Sequence, residues 1–220
     1  MATPGAIDED KPLLAQLAHL SPAQYQDWLH RTSRAKARFF ASDSLEALTH
    51  VKWWVVPLVW LPLAGLLAWR ASASLPFITF AVVVITGVAL WQLIEYSIHR
   101  FLFHAMPASP LTIVAHFLMH GNHHKCPCDI DRLVFPPLPA CLPASVIYGT
   151  LRAFLSQACA SGVFAGVLVG YVAYDCMHYL MHSGRLRGRL RTRHIHHHFD
   201  DNVAYGISSP LLDVLLRTNR

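Results

Sequence analysis

Leu75-Pro-Phe-Ile-Thr-Phe-Ala-Val-Val-Val-Ile-Thr-Gly-Val-Ala-Leu-Trp-Gln-Leu-Ile-Glu-Tyr-Ser-Ile-His-Arg-Phe-Leu-Phe-His104 decides the fold. Its body, about Leu75–Tyr96, approaches the roughly 20 apolar residues that a bilayer-spanning helix needs. Its end carries His99 and His104. The same pairing of apolar run and histidine cluster recurs along the chain. Further apolar segments cover about Trp53–Trp69, Leu133–Leu155 and Ala158–Leu180. Further clusters read His120-Gly-Asn-His123-His124, His178-Tyr-Leu-Met-His182 and His194-Ile-His-His197-His198. Ten of the fifteen histidines are thereby candidate ligands. Histidine is the commonest metal ligand among side chains, and ten imidazoles are too many for one ion and suit two.

Composition agrees with a membrane location. The 220 residues suffice for one domain, and a hydrophobic share of 54% against 14% charged is too apolar for an ordinary soluble domain. The net charge of +5 comes from residues near the apolar runs, with no basic helix or aromatic-basic module, so no nucleic-acid partner is expected. Residues 1–30 carry Asp8, Glu9, Asp10 and several prolines and contain no apolar run that a signal peptide would need. The five cysteines show no disulfide framework, and Cys126-Pro-Cys128 reads as a pair of reduced loop thiols.

The expected architecture is an all-α integral membrane protein with four transmembrane helices in two hairpins and a cytosolic helical cap. The hairpin connections are Arg70–Ser74 and the stretch near Gln157–Gly162. Pro136, Pro137, Pro139 and Pro143 predict an irregular or kinked start to the third span. Residues 1–52 form a cytosolic N-terminal region with one interfacial helix, starting at Pro22 after the capping Ser21. Lys36–Phe40 and Trp53-Trp54 place basic and aromatic residues where an interfacial belt would lie. Residues 53–220 form the transmembrane domain with its metal-binding cap. Of eighteen Lys and Arg, only Arg70 and Arg152 fall outside the N-terminal region, the loop 98–132 and the tail from Arg185. The positive-inside rule then puts these three regions, both termini and all four histidine clusters on the cytosolic side.

Residues three or four apart share a helix face. His178 and His182 therefore point one way, and each triplet, His120/His123/His124 and His194/His197/His198, can offer one imidazole to one ion and a neighbour to a second. His99 and His104 lie five apart, about 140° on an α-helix, so they approach from different directions, one to each ion, unless the helix unwinds between them. His116, on the face of His120 and His123, and His196, one residue off the ligand face, are read as neighbours that support ligands. Asp175, one turn before His178, is placed to orient an imidazole. His19, His30 and His50 are set aside as solvated, and Asp129, Asp131, Asp200 and Asp201 as loop charge. Ligation by histidine alone suits iron, zinc or copper, and two irons activating dioxygen best match a lipid-facing site.

These motifs resemble the fatty acid 2-hydroxylases of the sterol desaturase/fatty acid hydroxylase superfamily. The resemblance rests on His99-Arg-Phe-Leu-Phe-His104, His120-Gly-Asn-His123-His124-Lys125, Arg132-Leu-Val-Phe-Pro-Pro137, Tyr174-Asp175-x-x-His178-Tyr179 and His194-x-x-His197-His198-Phe199. Tyr25-Gln-Asp-Trp-Leu-His30, Arg38-Phe-Phe40, Ser42-Asp43, Trp53-Trp-Val-Val-Pro57 and the tail Tyr205–Asp213 extend it over about residues 11–216, especially toward plant and algal members. The resemblance implies an endoplasmic-reticulum enzyme that uses dioxygen to hydroxylate C2 of a very-long-chain acyl group in ceramide or its acyl precursors. It implies two metal ions on the ten histidines, iron in the active enzyme with zinc compatible in a purified sample. Electrons would come from cytochrome b5, a separate protein here, with its NADH-dependent reductase. The chain departs from the usual pattern at Cys126, Ser183 and His196, and its end lacks the usual aromatic-glycine close; none of these removes a ligand. A desaturase or sterol oxidase of the same superfamily is the rival enzyme. A metal-binding or transport protein is the rival of another class, though transporter ligands would sit at mid-bilayer.

Overall fold

The computed structural model describes residues 7–219, which are helical with no strand among them. Three short helices come first: α1 (Leu13–Leu17), α2 (Pro22–Leu29) and α3 (Asp43–Ala47). Two long ones follow, α4 (Val55–Ser72) and α5 (Phe77–Ser97), and α5 runs on into a π-helical stretch, Ile98–Phe103. The cap continues through α6 (Pro110–His116), a second π-helical stretch (Phe117–Gly121) and α7 (Asn122–Lys125). Then come α8 (Pro137–Phe154), α9 (Gln157–His182), α10 (Arg189–His197) and α11 (Leu211–Leu215). The helices α4, α5, α8 and α9, with the segments that extend them, are the four long and apolar enough to cross a membrane. Their unburied apolar residues, such as Leu58, Ile85, Leu142 and Val146, face outward as bilayer-facing side chains must.

Connection and packing differ. The chain forms two hairpins, but α9 is the shared centre: it packs chiefly against α5 and α4, and more lightly against α8. Gly162, Gly166 and Gly170 repeat every fourth residue on α9 and let α5 approach closely. A Cβ on Gly166 would overlap the Val84 carbonyl, and one on Gly87 the Val163 carbonyl. At 26 residues, α9 is about 39 Å long. That exceeds the roughly 30 Å of a hydrocarbon core, so its last turns, with His178 and His182, rise into the cap.

The third span starts at Pro137, with Pro136 as its cap, and Pro143 lies inside it. Proline is tolerated in the first turn, where its missing N–H has no helical partner, so these prolines set the start of α8 and the chain before them is irregular.

The described N-terminal residues pack on the cap. Ser21 caps α2 in a reciprocal pair with Gln24, and Pro22 occupies the first turn. The apolar face of α2, Tyr25 and Leu29, is spent on the cap, leaving polar residues such as Gln24, Asp27 and His30 outside. Leu13, Leu17, Tyr25 and Phe39 form a second core with Ile113 and Phe117. Polar ties secure it. The Lys125 ammonium donates to the carbonyls of Trp28 and Arg31 and pairs with Glu9. Buried Arg132 pairs with Asp129 and Glu46, and Glu46 accepts from the Phe39 and Phe40 N–H groups. Arg38 pairs with Asp43, and Ser42 caps α3. Asp129 and Asp131 are therefore paired rather than merely solvated, the latter with Lys36 and Lys52.

Candidate metal centre

The structure brings all ten clustered histidines together at the cap end of the helix bundle. One set is His99, His104, His120, His124 and His197, each offering one ring nitrogen, and these atoms all lie within 4.8 Å of one another. A second set is His123, His178, His182 and His194. His198 joins the second, its Nε2 3.2 Å from the Nε2 atoms of both His182 and His194. The sets abut, with the His124 and His198 ring centroids 4.5 Å apart.

Helix geometry explains the division. His120 and His124, four apart, serve one set, and His123 between them turns to the other. His194 and His198 likewise go together while His197 crosses over. α-Helical spacing would put His99 and His104 in different sets, but both fall in the first. The backbone between them is π-helical, with the His104 N–H donating to the His99 carbonyl. Such i→i+5 bonding brings residues five apart onto one side, and their Nε2 atoms come within 3.3 Å.

The donor set fits metal ions. The Nδ1–H of His99 donates to the Tyr205 carbonyl and that of His197 to the Val203 carbonyl, both at 2.6 Å. Each bond fixes the tautomer and leaves Nε2 as a bare lone pair. The His99, His104 and His120 Nε2 atoms then stand 3.2–3.3 Å apart. Two nitrogens each about 2.1 Å from one cation, at an angle near 100°, would be about 3.2 Å apart. Buried His124 Nε2 and His197 Nε2 have no hydrogen-bond partner. Burial, reinforced by neighbouring imidazoles, pushes the His120, His123, His124, His194 and His198 pKa values well down. It brings His104 to about 2 and His197 to about 4. The neutral imidazole that results is the ligating form.

Three sequence expectations change. Asp175 orients no imidazole: its Oδ2 accepts from the Phe135 N–H and the Tyr171 hydroxyl, each at 3.2 Å. A helical side chain leans toward the N-terminus, so Asp175 reaches back to Tyr171 and away from His178. His196 is exposed and belongs to neither set. His116 stays outside both sets as a neighbour, hydrogen-bonded through Nδ1 to the Tyr25 hydroxyl at 2.7 Å. His30, set aside as unpaired, lies 3.8 Å from Asp201, which also sits 3.4 Å from His124 Nδ1. Cys126 and Cys128 are free and outside both sets.

The strap 203–209, which carries the Val203 and Tyr205 carbonyls, is held by two carboxylates that sequence reasoning missed. Glu95 on α5 accepts from the N–H groups of Ile207 and Ser208 at 2.7 and 2.8 Å, from the Trp91 indole and from the Ser208 hydroxyl. Asp213, fully buried, accepts from the Tyr205 and Gly206 N–H groups, Arg193 and Thr218. A Cβ on Gly206 would overlap the Ser209 carbonyl, so the strap needs glycine there. The signal for Glu95 was available: an ionisable residue inside an apolar span marks a functional position.

A cavity of about 430 Å³ opens beside the first set, lined by His104, His120 and His124 together with Arg100, Phe101, Met106 and Tyr205. Gln26, His30, Asp201 and Asn202 line it as well.

The fatty acid hydroxylase family model matches residues 84–218, the stretch from mid-α5 through the strap that holds all ten histidines. The chain belongs to the fatty acid hydroxylase family. A fatty acid 2-hydroxylase of Macaca fascicularis is 40% identical over 96% of this chain and 64% of its own length. A dihydroceramide fatty acyl 2-hydroxylase of Arabidopsis thaliana is 39% identical over 96% of this chain and 92% of its own. The chain spans just under two thirds of the length of the mammalian relatives it matches. A solved structure of full-length scs7p, with only the hydroxylase domain visible, superposes with a TM-score of 0.93 at 34% identity, over 98% of this chain and 86% of that one.

Proposed function

We propose that this chain is a dinuclear-metal fatty acid 2-hydroxylase, with His99, His104, His120, His124 and His197 holding one ion and His123, His178, His182, His194 and His198 the other. The observation that carries it is the convergence of ten imidazoles, seven buried and three half-buried, with no carboxylate among them, at the end of a membrane bundle and beside a cavity. Two irons bound there supply the dioxygen activation and C–H oxidation that no side chain can perform.

The chain's own residues do the positioning. The Val203 and Tyr205 carbonyls aim two imidazoles, and apolar cores lie in the helix bundle and beneath the N-terminal helices. The substrate reading is the (very-)long-chain acyl group of a sphingolipid or its precursor, its tail kept in the bilayer and C2 presented at the cavity. Relatives named for dihydroceramide acyl 2-hydroxylation support it. Electrons come from cytochrome b5 as a separate protein with its NADH-dependent reductase. The location is the endoplasmic-reticulum membrane, with both termini and the metal centre cytosolic, as the charge asymmetry argues. Residues 53–220 carry the hydroxylase domain and residues 1–52 are its N-terminal region, whose described part, from residue 7 on, packs on the cap. Lipid mass spectrometry of cells expressing wild type or His120→Ala tests the reading. Wild type raises 2-hydroxy acyl chains and the variant does not; equal levels, or a double bond in place of the 2-hydroxyl, defeat it.

A further inference from the structure

The cavity touches the two histidine sets unequally. Three residues of the first set, His104, His120 and His124, line it, and none of His123, His178, His182, His194 or His198 does. The reason lies in which elements deliver each set. His178 and His182 stand on the last turns of α9, the most deeply buried of the long helices. Their partners His123 and His194 are buried, and half-buried His182 and His198 line no part of this cavity. Four of the first set hang instead from the π-helical end of α5 and from the segment after α6, elements that contribute Arg100, Phe101, His116 and His120 to the cavity lining; His197 crosses over from α10.

The wall is a built recess. Arg100 donates to the Tyr96 hydroxyl at 2.8 Å and lies against the Tyr96, Phe101 and Tyr205 rings, which hold its guanidinium in place. In the same lining, Asp201 lies between His30 and His124, 3.8 and 3.4 Å from their Nδ1 atoms. The volume falls within the range of small-molecule sites.

We propose that the two metal positions are unequal in access: the ion held by His99, His104, His120, His124 and His197 is the one that substrate and small ligands reach, and the ion held by the second set is closed to both. This rests on the ten-histidine reading above. Metal analysis tests that reading, and ligand access tests this one, so the two can fail separately.

The experiment uses the full chain in detergent micelles reconstituted with cobalt(II) and titrated with azide, read by the visible cobalt bands. Two plugs placed on different elements, Asn202→Trp and Gln26→Trp, fill the cavity without altering a ligand. The expected result is one azide per pair of cobalt ions in the wild type, and loss of that azide response in both plugs while two cobalt ions per chain are retained. Two equivalent azides per chain, no azide response in the wild type, or an unchanged response in cobalt-replete plugs would overturn the inequality. The wild-type stoichiometry decides even if a plug loses its metal. A chain that holds fewer than two cobalt ions overturns the underlying ligand set instead.

Discussion

Glu95 gives the sharpest test of how the helix bundle supports the metal centre. Its carboxylate accepts four hydrogen bonds, two of them from the backbone of the strap that carries the Tyr205 carbonyl. In Glu95→Gln one amide oxygen can still serve the Ile207 and Ser208 N–H groups. The new NH2 must then face the Trp91 N–H, donor against donor. One buried donor left unmet costs about 1–3 kcal/mol. In Glu95→Ala both backbone N–H groups and the indole lose their acceptor, and the cost rises to about 4 kcal/mol or more. At roughly 2–4 °C per kcal/mol for a chain of this size, Gln should lower the unfolding midpoint by about 2–12 °C and Ala by about 8–16 °C. Because His99 leans on Tyr205, metal retention should follow the same order. The assay is a thermal scan in detergent with metal analysis of the same samples. An Ala variant with wild-type midpoint and metal content would refute the reasoning, as would Gln falling below Ala.

Gly166→Ala, which puts a methyl into the Val84 carbonyl, should destabilise by about 1–3 kcal/mol or more; Gly149→Ala, with open space around it, should leave the midpoint unchanged, and equal effects would contradict the close packing of α5 on α9. Neighbouring histidines should behave oppositely: His197→Ala should lose bound metal, whereas exposed His196→Ala should keep wild-type metal content and product yield. Acid should destabilise the metal-free chain, since the unfolded state takes protons near 6.5 whereas burial delays His197 to about 4 and His104 to about 2. Within that window the unfolded state binds more protons. Stability should therefore fall as pH drops from about 6.5 toward 4, and a flat midpoint between pH 7 and 5 would count against burial of neutral imidazoles.

The spans were legible because membrane crossing needs only length and apolarity, which a sequence displays directly. The start of α2 was legible as well, since Ser21 and Pro22 act locally. The pairing of His99 with His104 was not, because the π-helical backbone that brings them together depends on tertiary packing and carries no simple residue pattern. What the α2 face packs against was not legible, because Tyr25 and Leu29 look the same whether they meet lipid or Ile113 and Phe117. Asp175 was misassigned because spacing gives a shared helix face but not the lean of the side chain. Glu95 and Asp213 went unnoticed as strap holders, since their partners lie 112 residues away for Glu95 to Ile207 and eight for Asp213 to Tyr205.

The central claim is that two iron ions on these ten histidines hydroxylate C2 of a membrane-held acyl chain. Its most direct test reconstitutes the iron-loaded chain with cytochrome b5, its reductase, NADH and a saturated very-long-chain ceramide, and locates the new oxygen by mass spectrometry under 18O2. The account predicts a single 18O at C2 of the acyl chain, absent with His120→Ala. Oxygen at another carbon, a desaturated product, or label drawn from water would contradict it.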